Sequence, residues 1–438
     1  MGDDGQEVRA VRRKVQHVQG RFVRVPEESQ GGRNLRVPVQ GLREGGLPRR
    51  PSPDDEIPCG IRRDLPQARP DREAHLFDTR HEEGRDRPRR LQGVRLRDHP
   101  HPPGGGEVKK RILTGDRPTG PLHLGHFVGS LQNRVLLQEE YDTFIIIADV
   151  QALTTNFDRP ERLAEDVRQV ALDNLAAGLD PGKASIFIQS LVPQIAELTV
   201  FFSMFVTVSR LRHNPTIKTE AGAYGYTDMT YGFLGYPVSQ AADILFCRAD
   251  LVPVGEDQLP HIEMTRFVAR RFNELYAGVF PEPEAMVSRV PRLVGLDGQA
   301  KMSKSLGNCI YLSDEPSRVA EKVMNAVTDP ARIHKTDPGH PEICTICSYH
   351  DAFNQAEHGN TVEMCRAGSI GCVACKKRLL QVLEGFLEPM RERRAMYSKP
   401  GLLDEILETG TERARREGEA TMEKVRSAMG MDYFGGAR

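Results

Sequence analysis

The chain has 438 residues, of which 28% are charged and 39% hydrophobic, with a net charge of −1. Two or three domains fit that length, and the charge balance argues against a surface that is basic throughout, as a general nucleic-acid binder would need. No run of 18 apolar residues is present and no apolar stretch follows Met1, so neither a membrane span nor a secretory signal is expected.

Residues 1–107 are a different kind of sequence, with 21 Arg against a single Lys, 12 Pro and no sustained apolar periodicity. Their net charge is +4, against −5 for residues 108–438. A disordered basic tail is one reading. We read the segment instead as a non-native extension. Arg, Pro, Gly and Asp in excess, with Lys nearly absent, is what GC-rich DNA yields in a frame not selected for protein. Gly104 to Glu107 requires a purine-rich run such as precedes a bacterial start codon, which makes Val108 the expected start. Peptides from residues 1–100 in mass spectra of the native protein would refute that expectation.

Over residues 108–305 strand and helix signals alternate. Arg111 to Leu113 reads as a short buried strand, followed by a Gly- and Pro-punctuated turn and an amphipathic helix from His123 to Leu136. His123 and His126 then project from one face near the helix start, and Gly125 leaves the surface between them flat. Free N–H groups at a helix start attract phosphate, and two imidazoles add donors beside them. Residues 143–148 suit a parallel strand buried on both faces. Pro160 opens the next helix, in which Leu163, Val167, Val170, Ala171 and Leu175 recur at helical spacing before Gly178 ends it. Ser185 to Ile188 is the following strand. Such repeats predict a Rossmann-like parallel α/β sheet, with ligands at the carboxyl ends of its strands. Neither Gly-x-x-x-x-Gly-Lys-Ser/Thr nor Gly-x-Gly-x-x-Gly occurs, so a phosphate site of another type is expected.

Tyr236-Pro-Val-Ser-Gln-Ala-Ala-Asp243 predicts a helix after Pro237, with Tyr236 at its mouth and Gln240 and Asp243 on one face. Asp243 sits among Ala241, Ala242, Ile244 and Leu245, where a carboxylate wants a donor. Leu251 to Gln258 follows, ending in Val-Gly-Glu-Asp-Gln. Lys301-Met-Ser-Lys-Ser305 lies among Gly295, Gly298 and Gly307, which are expected to leave its loop mobile. Taken alone it reads as a solvated loop.

Residues 306–438 read as a helical domain, with helices over Val319 to Val327, Ala374 to Tyr397 and Thr411 to Met429. Arg391, Arg393 and Arg394 form a candidate phosphate-contacting face. Five of the eight cysteines crowd between positions 344 and 375, which suggests a metal site in a reducing compartment. Cys344-x-x-Cys347 with Cys372-x-x-Cys375 would suit Zn²⁺, leaving Cys365 spare. Alternatively Cys344, Cys365, Cys372 and Cys375 would hold a [4Fe–4S] cluster, leaving Cys347 spare.

The segments around His123 and His126 and around Lys301 to Ser305 resemble the HIGH and KMSKS signatures of class I aminoacyl-tRNA synthetases. The Tyr236–Asp243 stretch and Val-Gly-Glu-Asp-Gln258 resemble the tryptophanyl-tRNA synthetases, a likeness running from Lys109 to about Met431. The resemblance implies a Rossmann-like catalytic domain followed by an α-helical anticodon-binding domain. It also implies activation of L-tryptophan by ATP with Mg²⁺ and transfer to tRNA(Trp), in a cytoplasmic homodimer. By the same resemblance His123, His126, Lys301 and Lys304 are catalytic. ATP would be met by these four together with Thr114, Gly115, Arg117 and Thr119, and by Gly125, Gly255, Asp257, Met302 and Ser303. Tyr236, Gln240 and Gln258 would hold the amino and carboxylate groups of tryptophan, and Asp243 would accept the indole N–H. Gln240 stands where methionine is common in the family. A bacterial subset carries an iron–sulfur cluster with Cys-x6-Cys-x2-Cys spacing, which Cys365, Cys372 and Cys375 match. A tyrosyl-tRNA synthetase is the nearest alternative. A catalytically silent, synthetase-like RNA-binding or regulatory protein is the alternative from another class.

Overall fold

Among the described residues, five strands form one parallel sheet: β1 (Arg111–Asp116), β2 (Asp142–Ile147), β3 (Ala184–Ile188), β4 (Leu251–Val254) and β5 (Glu284–Val287). The computed structural model describes residues 109–287, 293–299 and 301–433. The expected extension over residues 1–107, the expected start at Val108 and Cys59 lie outside the described residues. Strand order is β3-β2-β1-β4-β5, with Arg111 opposite Asp142, Thr143 opposite Ala184 and Leu251 opposite Glu284. The order reverses between β1 and β4. In an open parallel sheet, that reversal leaves a crevice at the carboxyl ends of the two strands.

The segment after β1 departs from a simple helix. His123 stays extended at the cap position, Leu124–His126 makes one α turn, Phe127–Leu131 is π-helical, and Gln132–Leu137 returns to α. The helix expected after Pro237 begins earlier, as Tyr231–Leu245, with Pro237 in its interior. Thr230 explains the early start: its side chain accepts the Phe233 N–H at 3.2 Å, capping a turn well ahead of the proline.

Later helices include Pro316–Asn325, Thr345–Phe353, Gln355–Arg366, Cys372–Tyr397 and Leu402–Ala428. Leu379, Leu383 and Leu387, with Leu403 and Ile406, are buried in the same cluster as Ile145, Val170 and Ile186. The helical half and the sheet therefore share a core. The Leu402–Ala428 helix closes the free edge of β3. Thr411 Oγ1 accepts the Ile188 N–H at 3.4 Å, and a Cβ on Gly410 would stand 2.0 Å from the Ile186 carbonyl oxygen.

The three arginines expected to face phosphate are committed elsewhere. Arg394 pairs with the fully buried Asp173 and also reaches Gln169. Arg393 donates to the Ala176 carbonyl at 2.7 Å, and Arg391 to Glu384 at 2.5 Å. They join the long Cys372–Tyr397 helix to the helix Leu163–Ala177, and to their own neighbours. No described helix is long and apolar enough to cross a membrane.

Candidate active site

A cleft of about 450 Å³ opens at the strand-order reversal, between the ends of β1, β2 and β4. β1 supplies Thr114, Gly115 and Asp116, and Arg117 follows; β4 leads into Gly255 and Gln258. His126 enters from the first helical turn, and Tyr236, Gln240 and Asp243 from one face of the Tyr231–Leu245 helix. Nine of the sequence-selected residues thus line one cavity.

Asp243 is 4% exposed and accepts a hydrogen bond from Gln189 Nε2 at 2.7 Å. Gln189 cannot turn its amide around, because its Oε1 accepts the Gln151 backbone N–H at 3.1 Å. Burial pushes the Asp243 carboxyl up to about 7, against the Gln189 and Gln151 hydrogen bonds that favour ionisation. Tyr236 donates to Glu220 at 2.9 Å, and its hydroxyl lies 3.0 Å from His261 Nε2.

At the other wall the two signature histidines lie in contact, with ring centroids 3.8 Å apart and planes tilted by 48°. His126 Nδ1 accepts the His123 backbone N–H at 3.2 Å. Burial, then the charges of His126, Lys304 and Lys301, pushes His123 down to about 2. Burial likewise takes His126 down to about 4, against the pull of Asp116. Both rings are neutral at pH 7, so each keeps one N–H to donate.

Lys301 to Ser305 lies against the β1 turn. Lys304 Nζ donates to the Gly120 carbonyl at 2.7 Å and stands 3.4 Å from Thr119 Oγ1. Met302 is buried, and its sulfur accepts the Gly125 N–H at 3.3 Å. The Ser303 N–H donates to Asn308 Oδ1 at 2.8 Å. Burial lowers the Lys304 ammonium, while Asp116, Asp173 and Asp166 oppose that shift. Chemically, the site combines a half-sheltered cation, neutral imidazole donors and a buried carboxylate at one face. The helix-start N–H groups expected to be free are taken: Leu124 donates to the Ile310 carbonyl at 2.9 Å and Gly125 to Met302 Sδ at 3.3 Å, because the Lys301–Ser305 loop and the segment after it pack over that turn.

A family profile described as tRNA synthetases class I (W and Y) matches residues 107–388. The chain belongs to this class I tRNA synthetase family. Its relatives include a tryptophan–tRNA ligase of Treponema pallidum, 49% identical over 326 residues, covering 73% of this chain and 97% of the relative. Another, from Thermotoga maritima, is 49% identical over 328 residues, covering 74% of this chain and all of the relative. The crystal structure of a Campylobacter jejuni tryptophanyl-tRNA synthetase complexed with ADP and tryptophan superposes with a TM-score of 0.67. That structure is 31% identical and covers 73% of this chain and 99% of its own.

Not every selected residue of this synthetase lies on the cleft. Thr119, His123, Gly125, Asp257 and the Lys301–Lys304 segment are absent from its lining. Asp257 lies beside Gly255, and its carbonyl accepts from Thr216 Oγ1 at 3.1 Å. Sequence reasoning missed Gln189, Glu220 and the pair Asp116–Arg134. Arg134 is 2% exposed and contacts Asp116 at 2.5 Å and Asn174 at 3.0 Å. Although burial resists ionisation, Arg134 holds Asp116 down at about 2. An arginine in an otherwise amphipathic helix was the available signal.

The cysteines gather at helix ends. Cys344 caps Thr345–Phe353, Cys365 closes Gln355–Arg366, and Cys372 begins Cys372–Tyr397. Burial, then the nearness of Cys344, Cys365, Cys347 and Cys372, pushes Cys375 up to about 12. Among the described residues no three His, Cys, Asp or Glu side chains stand at metal-ligand distance.

Proposed function

We propose that this synthetase is a tryptophan–tRNA ligase. It joins the carboxylate of L-tryptophan to the α-phosphate of ATP, expelling pyrophosphate, and then passes the acyl group to the terminal ribose of tRNA(Trp). The observation that carries the reading is Asp243, a buried carboxylate on the cleft wall whose orientation is held by Gln189. A buried acceptor favours a ligand that brings an N–H, and an indole does so.

The substrate carboxylate is itself the nucleophile, so no general base is needed. The protein supplies alignment and positive charge. Lys301 and Lys304 neutralise the phosphates, and His123 and His126 donate to them as neutral rings. Thr114, Gly115, Arg117, Thr119 and Gly125 border the phosphate path. Gly255 and Asp257 face the ribose, and Met302 with Ser303 seats the lysine loop. Tyr236, Gln240 and Gln258 take the ammonium and carboxylate of tryptophan. Mg²⁺ travels with ATP, held mostly by phosphate and water. ATP–pyrophosphate exchange tests the reading. Tryptophan should drive it, with tyrosine and phenylalanine at least about 100-fold weaker; exchange driven by tyrosine would overturn the assignment. A homodimer follows by family analogy, and light scattering at twice the chain mass would support it.

The reading extends to a [4Fe–4S] cluster held by Cys344, Cys365, Cys372 and Cys375, with Zn²⁺ on the two Cys-x-x-Cys pairs as the alternative. Its support is the thiols' gathering at three helix ends, together with Arg332 Nη1 donating to Cys365 Sγ at 3.8 Å. That guanidinium favours the Cys365 thiolate, while burial outweighs it and holds the thiol above its ordinary value. Cys344, Cys365, Cys372 and Cys375 would hold the group, and it would then tie together the three helices that carry them. Four iron per chain, lost in Cys365→Ser, is the expected result; one zinc insensitive to that change would move the site to the pairs.

A further inference from the structure

We propose that Tyr349 is a positioning residue for the Lys301–Ser305 loop: its hydroxyl fixes, from the helical half, the backbone from which that loop hangs. The inference rests on the ligase reading above. Among the described residues Tyr349 is the bulkiest fully buried side chain, and its hydroxyl donates to the Val294 carbonyl at 3.0 Å. A phenylalanine would fill the same core volume without a polar atom to satisfy. The hydroxyl finds its acceptor outside its own helix, in the chain leading to the signature loop.

That chain is bound closely to the lysines. Val294 pairs antiparallel with Lys301, and the Met302 N–H donates to the Leu293 carbonyl at 3.2 Å. Asn308 receives the Ser303 N–H and donates to Asp297 at 2.9 Å, while its carbonyl accepts the Leu296 N–H at 2.9 Å. Moving Val294 therefore moves Lys301 and Met302, and Met302 sits under Gly125. Two further contacts run the same way. The Val327 N–H donates to the Leu296 carbonyl at 2.9 Å. Thr345 Oγ1 stands 2.8 Å from where a Cβ on Gly298 would lie, and Gly298 has a φ of +69°. Thr345 and Tyr349 belong to the helix that Cys344 caps. One helix, Thr345–Phe353, thus touches both the cysteine region and the chain leading to the loop, and the Tyr349 hydroxyl is its hydrogen bond to that chain.

The test is Tyr349→Phe in the full chain, which keeps the ring and removes only the hydroxyl. The protein contains no Trp, so the fluorescence of bound tryptophan reports its affinity directly. The KM for ATP in pyrophosphate exchange should rise about three- to tenfold, as for a lost buried hydrogen bond. The Met302 amide should exchange its hydrogen faster, with tryptophan affinity within about twofold of the unsubstituted chain. An unchanged KM for ATP overturns the proposal. So does a matched loss of ATP and tryptophan affinity with a lower thermal midpoint, the signature of a residue that only fills the core. If the unsubstituted chain gives no tryptophan-dependent exchange, the ligase reading falls and the proposal with it. Normal exchange with an indifferent Tyr349→Phe defeats the proposal alone.

Discussion

Asp243 carries two expectations that its burial makes quantitative. Because its carboxyl holds a proton up to about pH 7, the ionised acceptor disappears as pH falls through that value. Tryptophan should therefore bind about tenfold more weakly at pH 6 than at pH 8, with Asp243→Asn removing the step. The two signature imidazoles do not blur this profile, since both stay neutral well below pH 6. Ligand fluorescence across pH 5.5–8.5 measures it directly, and a profile independent of residue 243 would take the carboxylate out of the pocket. Asp243→Ala should raise the KM for tryptophan and narrow its lead over phenylalanine by about 10²-fold or more, because the discriminating acceptor is gone. Exchange assays with both amino acids provide the ratio.

At the scale of elements, Gly410→Ala should destabilise the chain. Its new methyl would collide with the Ile186 carbonyl, forcing the last helix off β3. A cost of about 1–3 kcal/mol is expected, read as a lower urea midpoint with an unchanged slope. How much was legible in sequence follows the same physics. β1, β2 and β3 announced themselves as apolar runs because both of their faces are covered, and the two signature motifs stood out by residue order alone. Gln189 and the Asp116–Arg134 pair did not, since their partners meet only after the sheet has formed. Pro237 misled because its missing N–H suggests a helix start, whereas the Thr230 cap begins the helix earlier. Arg391, Arg393 and Arg394 looked like a cationic face, but Asp173 and the Ala176 carbonyl, more than 200 residues away in sequence, absorb two of them. Arg394→Ala should accordingly lower the thermal midpoint, with tRNA affinity per folded molecule unchanged in a binding titration.

For the whole molecule, burial gives stability a definite pH dependence. His123, His126 and His261 are held down at about 2, 4 and 4. The unfolded chain therefore binds protons below about pH 6.5 that the folded chain refuses, and stability rises with pH over that range. Asp243 and Asp173, pushed up to about 7 and 6 by burial, act in the opposite sense because the folded chain keeps their protons. Burial also lowers His350 and raises Asp166. Among the described residues four histidines thus stand against three carboxyls, so the thermal midpoint should climb from about pH 5 to 6.5. A midpoint that falls across this interval would contradict that assignment of buried protons.

The helix that closes β3 is the last one in the described chain, and this makes the order of synthesis consequential. While Leu402–Ala428 is still unmade, β3 ends the sheet with its outer N–H and C=O groups unpaired. Such an edge is a template for another strand, and neighbouring nascent chains on one message carry the same edge. From the synthesis of β3 until Leu402–Ala428 is made, that edge stays open to self-association. A chain stopped ahead of Leu402 would be lost as aggregate before its want of activity could matter.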